Sequence, residues 1–191
     1  MAPSPQPSAS ASGSPTPTPT PPTITVRPEL SELLAYPGRL DYVTIGKPVE
    51  ERSDAAAIIV YDSAACMAET PENLVGWISA YPGDTFQVVS NPDKTVARIM
   101  VRAPDIQTER GIHAGSTLEE LLDAYGSETA LTQSGTSDLY SVEGADGVLV
   151  FEVATAREPA YGSRIDTVLW MLLLGPDVKP FSGLAPFGPC S

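Results

Sequence analysis

Apolar residues recur along this chain with two rhythms. Leu118, Leu121, Leu122 and Tyr125 stand three and four positions apart, the spacing of one helix face. Thr117 precedes them and Glu120 follows three residues later, a capping-box pattern, with Ser116 as an alternative cap and Gly126 as the stop. Leu74, Trp77, Ile78 and Tyr81 repeat the design. Thr70 can cap that run, Pro71 suits the first helical position, and Pro82-Gly83 ends it. These two segments predict helices. A shorter run, Pro28 to Tyr36, carries Leu30, Leu33 and Leu34 and fits either a helix or an irregular packed turn. The three runs end alike, on Ala35-Tyr36-Pro37-Gly38, Ala80-Tyr81-Pro82-Gly83 and Ala124-Tyr125-Gly126.

The second rhythm is that of strands. Tyr42 to Ile45, Ala57 to Tyr61, Phe86 to Val89, Thr95 to Val101, Leu139 to Val142, Val148 to Val153 and Val168 to Leu174 are short, apolar and rich in β-branched residues. Asn91-Pro92-Asp93-Lys94 and Gly144-Ala145-Asp146-Gly147 read as hairpin turns between neighbours. The run VLWMLLL at Val168 to Leu174 reads as a buried central strand and is far short of the roughly 18 residues a membrane span requires.

A weak repeat runs through these elements. Val43-x-x-Gly46-x-Pro48-Val49-Glu50-Glu51 resembles Ile112-x-x-Gly115-x-Thr117-Leu118-Glu119-Glu120, 69 positions on, and Thr95 to Val101 resembles Thr167 to Leu173, 72 positions on. The similar offsets predict two related α/β units, about 40–101 and 110–174. The expected class is α+β: a mainly antiparallel sheet built from both units, with two or three short helices packed on one face.

Composition divides the chain. Residues 1–23 are almost wholly Pro, Ser, Thr and Ala and carry no charge. Such a segment cannot bury enough apolar surface to offset its ordering entropy, and its prolines favour polyproline II at about 3.1 Å per residue. It reads as a disordered stalk, and residues 24–191 as a single folded domain. The net charge of −13 lies within that domain and disfavours nucleic acid and anionic lipid as partners. A Ser/Thr/Pro-rich stalk points to an exported protein, extracytoplasmic, held at the membrane only through an N-terminal lipid anchor upstream of this chain. Cys66 and Cys190 then pair as a disulfide that pins the Pro/Gly-rich C-terminal end, closing a loop worth about 4–5 kcal/mol in chain-entropy terms.

The segment Thr108-x-x-Gly111-Ile112-x-x-Gly115-Ser116-Thr117-x-x-Glu120-Leu121-x-x-x-Tyr125-Gly126 resembles the strand–Gly–cap–helix–Gly element of uncharacterised bacterial cell-envelope lipoproteins. It also resembles the helix-opening unit of β-lactamase-inhibitor-protein-like folds, in which two α/β repeats build one concave sheet. After Gly126, Ser127-Glu128 replaces the Gly-x-Pro ending of that pattern. The resemblance implies a folding unit, and no inhibitory residues carry over.

Catalytic chemistry finds little support. His113 is the single histidine, and no Gly-x-Ser-x-Gly elbow accompanies it. One histidine and two distant cysteines match no zinc spacing, and Asp138, Glu143 and Asp146 match no calcium loop. Gly46-Lys47-Pro48 lacks the glycine a phosphate loop needs, so no catalytic residue, metal ligand or cofactor is assigned. Glu119 and Glu120 favour a helix N-terminus, with Asp123 one turn on, and capping accounts for them. Trp77 and Trp170 read as core. The contact candidates are Tyr161, Arg157 and Arg164, in the polar loop Thr155 to Arg164, which is expected to be exposed. The expected function is non-enzymatic binding or scaffolding of a protein or envelope ligand. The alternatives are a secreted inhibitor using a concave sheet face, and a hydrolase centred on His113.

Overall fold

The computed structural model describes residues 27–49, 53–62 and 75–181. The protein is α+β, with mostly antiparallel sheets and few short helices. A 3-10 turn at Leu30–Glu32 leads into β1 (Leu34–Tyr36), β2 (Arg39–Leu40) and β3 (Val43–Thr44). Then come α1 (Ala55–Ile58), β4 (Ile59–Tyr61), β5 (Val75–Ser79), β6 (Phe86–Ser90), β7 (Val96–Val101) and β8 (Gln107–Thr108). The rest comprises α2 (Leu118–Tyr125), a 3-10 turn at Gly126–Glu128, β9 (Ala130–Gln133), β10 (Ser137–Gly144), β11 (Gly147–Ala154), a third 3-10 turn at Pro159–Arg164, and β12 (Val168–Leu174).

The main sheet has eight strands in the order β4-β5-β6-β7-β12-β11-β10-β9. It consists of two four-strand meanders joined through their last strands. Across that seam Met100 opposes Leu172, with Val101 opposite Met171 on one side and Ile99 opposite Leu173 on the other. At the offset of 72 residues these pairs exchange with one another, and Met100–Leu172 maps onto itself. The seam is thus a local two-fold.

The two units also enter the sheet by equivalent bonds. Gly46 N–H donates to the Val96 carbonyl at 2.7 Å, and Gly115 N–H to that of Val168 at 2.8 Å. Val96 N–H donates back to Lys47 O at 2.9 Å, and Val168 N–H to Ser116 O at 2.8 Å. Val49 pairs with Lys94 and Leu118 with Asp166 in the same sense, beside the isolated bridges Pro48–Thr95 and Thr117–Thr167. Lys94 and Asp166 share a left-handed backbone, φ 67° and 60°. Gly46 and Gly115 do so as well, at 75° and 100°, a conformation open to glycine at little steric cost.

Period-two alternation assigns the sheet's faces. Ile99, Val101, Leu149, Phe151, Met171 and Leu173 point into the larger core. That core also takes Ile58 from α1, Leu121 and Tyr125 from α2, and Ala35, Leu40 and Val43 from a small sheet of order β3-β2-β1-β8. The opposite face gathers Met100, Leu139, Val148, Val150, Leu172 and Leu174, with Trp170 and Phe181 packed against them. The small sheet docks where backbones nearly touch. A Cβ on Gly38 would lie 2.1 Å from the Asp146 carbonyl oxygen, and one on Gly147 would lie 2.9 Å from the Gly38 Cα.

The helix predicted over Thr70 to Tyr81 is a correction. Residues 75–79 form β5, paired to β4 and β6, and the expected cap and Leu74 lie outside the described residues. Trp77 is buried and Ile78 is exposed, as neighbours in a strand must be and neighbours on one helix stripe need not. A mid-segment glycine, two β-branched residues and a tryptophan favour that outcome. The strand expected over Ala57 to Tyr61 starts later, since α1 takes its first residues. The Pro28 to Tyr36 run resolves into the 3-10 turn followed by β1. Residues 1–23, Cys66 and Cys190 lie outside the described residues, so the stalk and the disulfide are outside them too.

Candidate functional site

An open groove of about 720 Å³ runs between α2 and the chain from Ser163 to Thr167. Its first wall follows from local sequence. Thr117 takes extended backbone angles, and its hydroxyl oxygen accepts the Glu120 N–H at 3.2 Å. The Glu120 carboxylate accepts the Thr117 backbone N–H at 2.7 Å and its hydroxyl at 3.0 Å, closing the box. The backbone N–H of Thr117, then its hydroxyl, hold the Glu120 carboxyl below the usual carboxylate range. The helix's other end is clamped by Arg110. Its guanidinium donates to the Ala124 carbonyl at 2.7 Å and to both oxygens of Glu128 at 2.8 and 3.0 Å, and it lies 4.5 Å from the Tyr125 ring centre.

So fixed, α2 turns Leu121 and Tyr125 inward, with Tyr125 packed on Phe151 at 5.4 Å between ring centres. Leu118 is half-buried. Leu122 is left over at 41% exposure and lines the groove. An eight-residue helix with adjacent leucines carries more apolar width than the core beneath it accepts.

The second wall is the end of the Pro159–Arg164 turn. Glu158 caps this turn by accepting the Ala160 N–H at 3.0 Å, and Pro159 occupies its first position. The helical path breaks at Gly162, φ 57° and ψ −119°. Ser163, Ile165 and Asp166 then run beside α2, held by the Leu118 N–H bond to the Asp166 carbonyl at 2.8 Å.

Glu119, Asp123 and Asp166 stand exposed on this groove around Leu122, Leu118 and Ile165. Among the described residues the ion pairs join Arg102 to Asp84, Arg110 to Glu128, and Arg157 to Asp138, and none engages these three carboxylates. A second hollow of about 530 Å³, beside β5 and the loop after it, differs in this respect. There Asp84 holds Arg102 and Asp62 has a partner of its own.

Of the three contact candidates, Tyr161 is turned inward, 8% exposed, with its hydroxyl buried and without a hydrogen-bond partner among the described residues. This corrects the expectation of an exposed aromatic: the turn wraps its ring into the domain. Arg157 is spent on the β9–β10 connection. It donates to the carbonyls of Ser134, Gly135 and Ser137 and to the Asp138 carboxylate. Arg164 is exposed, 5.8 Å from the Tyr161 ring centre, between the groove-lining Ser163 and Ile165 in sequence.

His113 is half-buried in the turn before α2. Its Nδ1 lies 2.9 Å from the Ala114 carbonyl oxygen, and its backbone N–H donates to the Ser116 hydroxyl. Trp77 is buried and donates to Ser90 Oγ at 2.8 Å. Trp170 is half-buried and donates at 2.8 Å to Glu152, a fully buried carboxylate that also accepts the Ser137 hydroxyl at 2.6 Å. Both indoles are thus tied into packed structure, away from either hollow's lining. Glu119, Leu122, Asp123 and Asp166 as a constellation escaped the sequence reading. The surplus leucine on α2 was the available signal.

No protein-family model matches the chain, and no curated protein matches it. The crystal structure of the uncharacterized protein YfeY from Escherichia coli is similar at a TM-score of 0.45 and 18% identity, over 70% of this chain and 93% of that one.

Proposed function

We propose that this protein is a non-enzymatic binding or scaffolding domain of the cell envelope, exported and carried on the Pro/Ser/Thr-rich segment 1–23 as a spacer to a lipid anchor. The groove between α2 and residues 163–167 is its contact surface. The observation that carries this reading is Leu122, an aliphatic side chain held 41% exposed on a capped and clamped helix, in a groove open enough for a partner's side chains. Arg164 belongs to the contact surface in this reading. Tyr161 and Arg157 serve it indirectly, by shaping the loop that forms one wall.

The inhibitor reading would use the broad sheet face. Its centre at Met100, Val150 and Leu172 is buried, and Phe181 packs on that cluster, which favours the groove. The hydrolase reading needs a nucleophile aligned with His113. The described partner of its ring is a backbone carbonyl.

The test compares immobilised wild-type protein with Leu122→Arg and Leu131→Arg, each challenged with the same solubilised envelope fraction. Leu131 is 52% exposed on β9 and serves as the control. A discrete species held by wild type and Leu131→Arg, but released by Leu122→Arg, supports the reading. Equal retention by all three contradicts it. So does substrate turnover that His113→Ala abolishes.

A further inference from the structure

We infer that the partner segment received by this groove is basic and aliphatic: an extended peptide stretch in which lysine or arginine alternates with leucine-like side chains. This rests on the reading of the groove as a contact surface and names the chemistry of what enters it. Glu119, Asp123 and Asp166 are exposed, converge on one groove, and have no cationic partner among the described residues. Asp84, Glu128 and Asp138 are each paired with an arginine, whereas Asp105, Glu109, Glu143, Asp146 and Asp177 are exposed outside these ion pairs; the groove differs from those in setting three such carboxylates beside apolar side chains. The groove therefore keeps its negative charge for an incoming group. Its apolar lining is Leu118, Leu122 and Ile165, which a purely polar cation would leave wet.

Charge complementarity of this kind acts mainly on specificity and association rate. In an extended chain successive side chains point to opposite sides, so the leucines can enter among the apolar lining residues while the long lysine side chains between them reach back to the carboxylates.

The test uses the full chain and a fluorescent peptide of alternating lysine and leucine, read by anisotropy. Two comparison peptides replace its lysines by glutamate or its leucines by glycine. The lysine–leucine peptide should bind, and each replacement should weaken binding by about tenfold or more. Raising ionic strength from about 0.01 to 0.15 M shortens the screening length from about 30 to 8 Å and should weaken it further. The pair Glu119→Gln with Asp123→Asn should cost about tenfold in affinity. Glu143→Gln with Asp146→Asn removes the same charge from the β10–β11 turn and should cost little. Equal losses from the two pairs would assign binding to net charge and overturn the inference. If Leu122→Ala weakens binding while the acidic pair does nothing, the contact surface stands and its cation preference falls. If none of the groove changes matters, both fall.

Discussion

Replacing Gly38 with alanine places a methyl carbon inside the backbone of a neighbouring hairpin. Built in ideal geometry, it would meet the Asp146 carbonyl oxygen at 2.1 Å, its carbon at 2.4 Å and the Gly147 nitrogen at 2.8 Å. Ordinary van der Waals contact starts at 3.4 Å, and these are backbone atoms with no rotamer to retreat into. The small sheet must lift from the β10–β11 turn, surrendering packing around Ala35 and Leu40, or the turn must distort. Gly46 is the internal control. It has the same φ of 75°, yet a Cβ there meets nothing within 4 Å. Gly46→Ala should therefore cost only the left-handed conformation, about 1–2 kcal/mol. Gly38→Ala should cost that plus the overlap, about 3–5 kcal/mol in all. For a domain of this size each kcal/mol moves Tm by about 2–4 °C, so the remaining difference of about 2–3 kcal/mol should make Gly38→Ala melt roughly 4–12 °C below Gly46→Ala. Urea titration followed by circular dichroism gives the same comparison as midpoints. Equal losses for the two variants would mean that the close approach of the two turns is not part of the folded protein.

Glu152 is fully buried and accepts from Ser137 and Trp170, so Glu152→Ala should cost about 3–5 kcal/mol by stranding both donors. Glu152→Gln should cost only about 1 kcal/mol, because the serine hydroxyl can turn to accept the new amide; denaturant midpoints decide, and similar losses would refute the argument. Hydrogen bonds from Thr117 hold the Glu120 carboxyl below its usual range, so its contribution to α2 is complete above that range and is lost as pH falls through it. Amide protection over Leu118 to Leu121 should drop on acidification in wild type and stay flat in Glu120→Gln, where an identical drop would point elsewhere. Non-reducing mass spectrometry of protein recovered from an exported pool should find Cys66 and Cys190 joined; two free thiols there would remove the compartment argument.

The strands were legible wherever a hairpin turn stood between two β-branched runs. Asn91 to Lys94 and Gly144 to Gly147 join β6 to β7 and β10 to β11 as read. The capping box of α2 was legible because Thr117, Glu120 and Gly126 are purely local signals. The repeat was legible as offsets and reappears as matched hydrogen bonds about Gly46 and Gly115. The shared Tyr-Pro-Gly and Tyr-Gly endings misled, because they mark a chain reversal after a tyrosine and do not say what precedes it. Tyr36 ends a strand, Tyr81 sits in a loop after one, and Tyr125 ends a helix. Trp77 and Ile78 satisfied a helical spacing by coincidence, and cross-strand partners on both sides overruled it. The groove was illegible for a different reason. Glu119 and Asp123 come from α2, while Asp166 comes from a loop more than forty residues later, and the backbone pairing of Gly115 to Leu118 with Asp166 to Val168 brings them together.

Hydrogen–deuterium exchange on the full chain, with and without the lysine–leucine peptide at saturation, tests the location of the contact surface most directly. Added protection confined to Thr117 through Asp123 and Ser163 through Thr167 is the expected map. Protection that falls instead on β4, on β9 or on the sheet face beneath Phe181, with α2 unchanged, would contradict it.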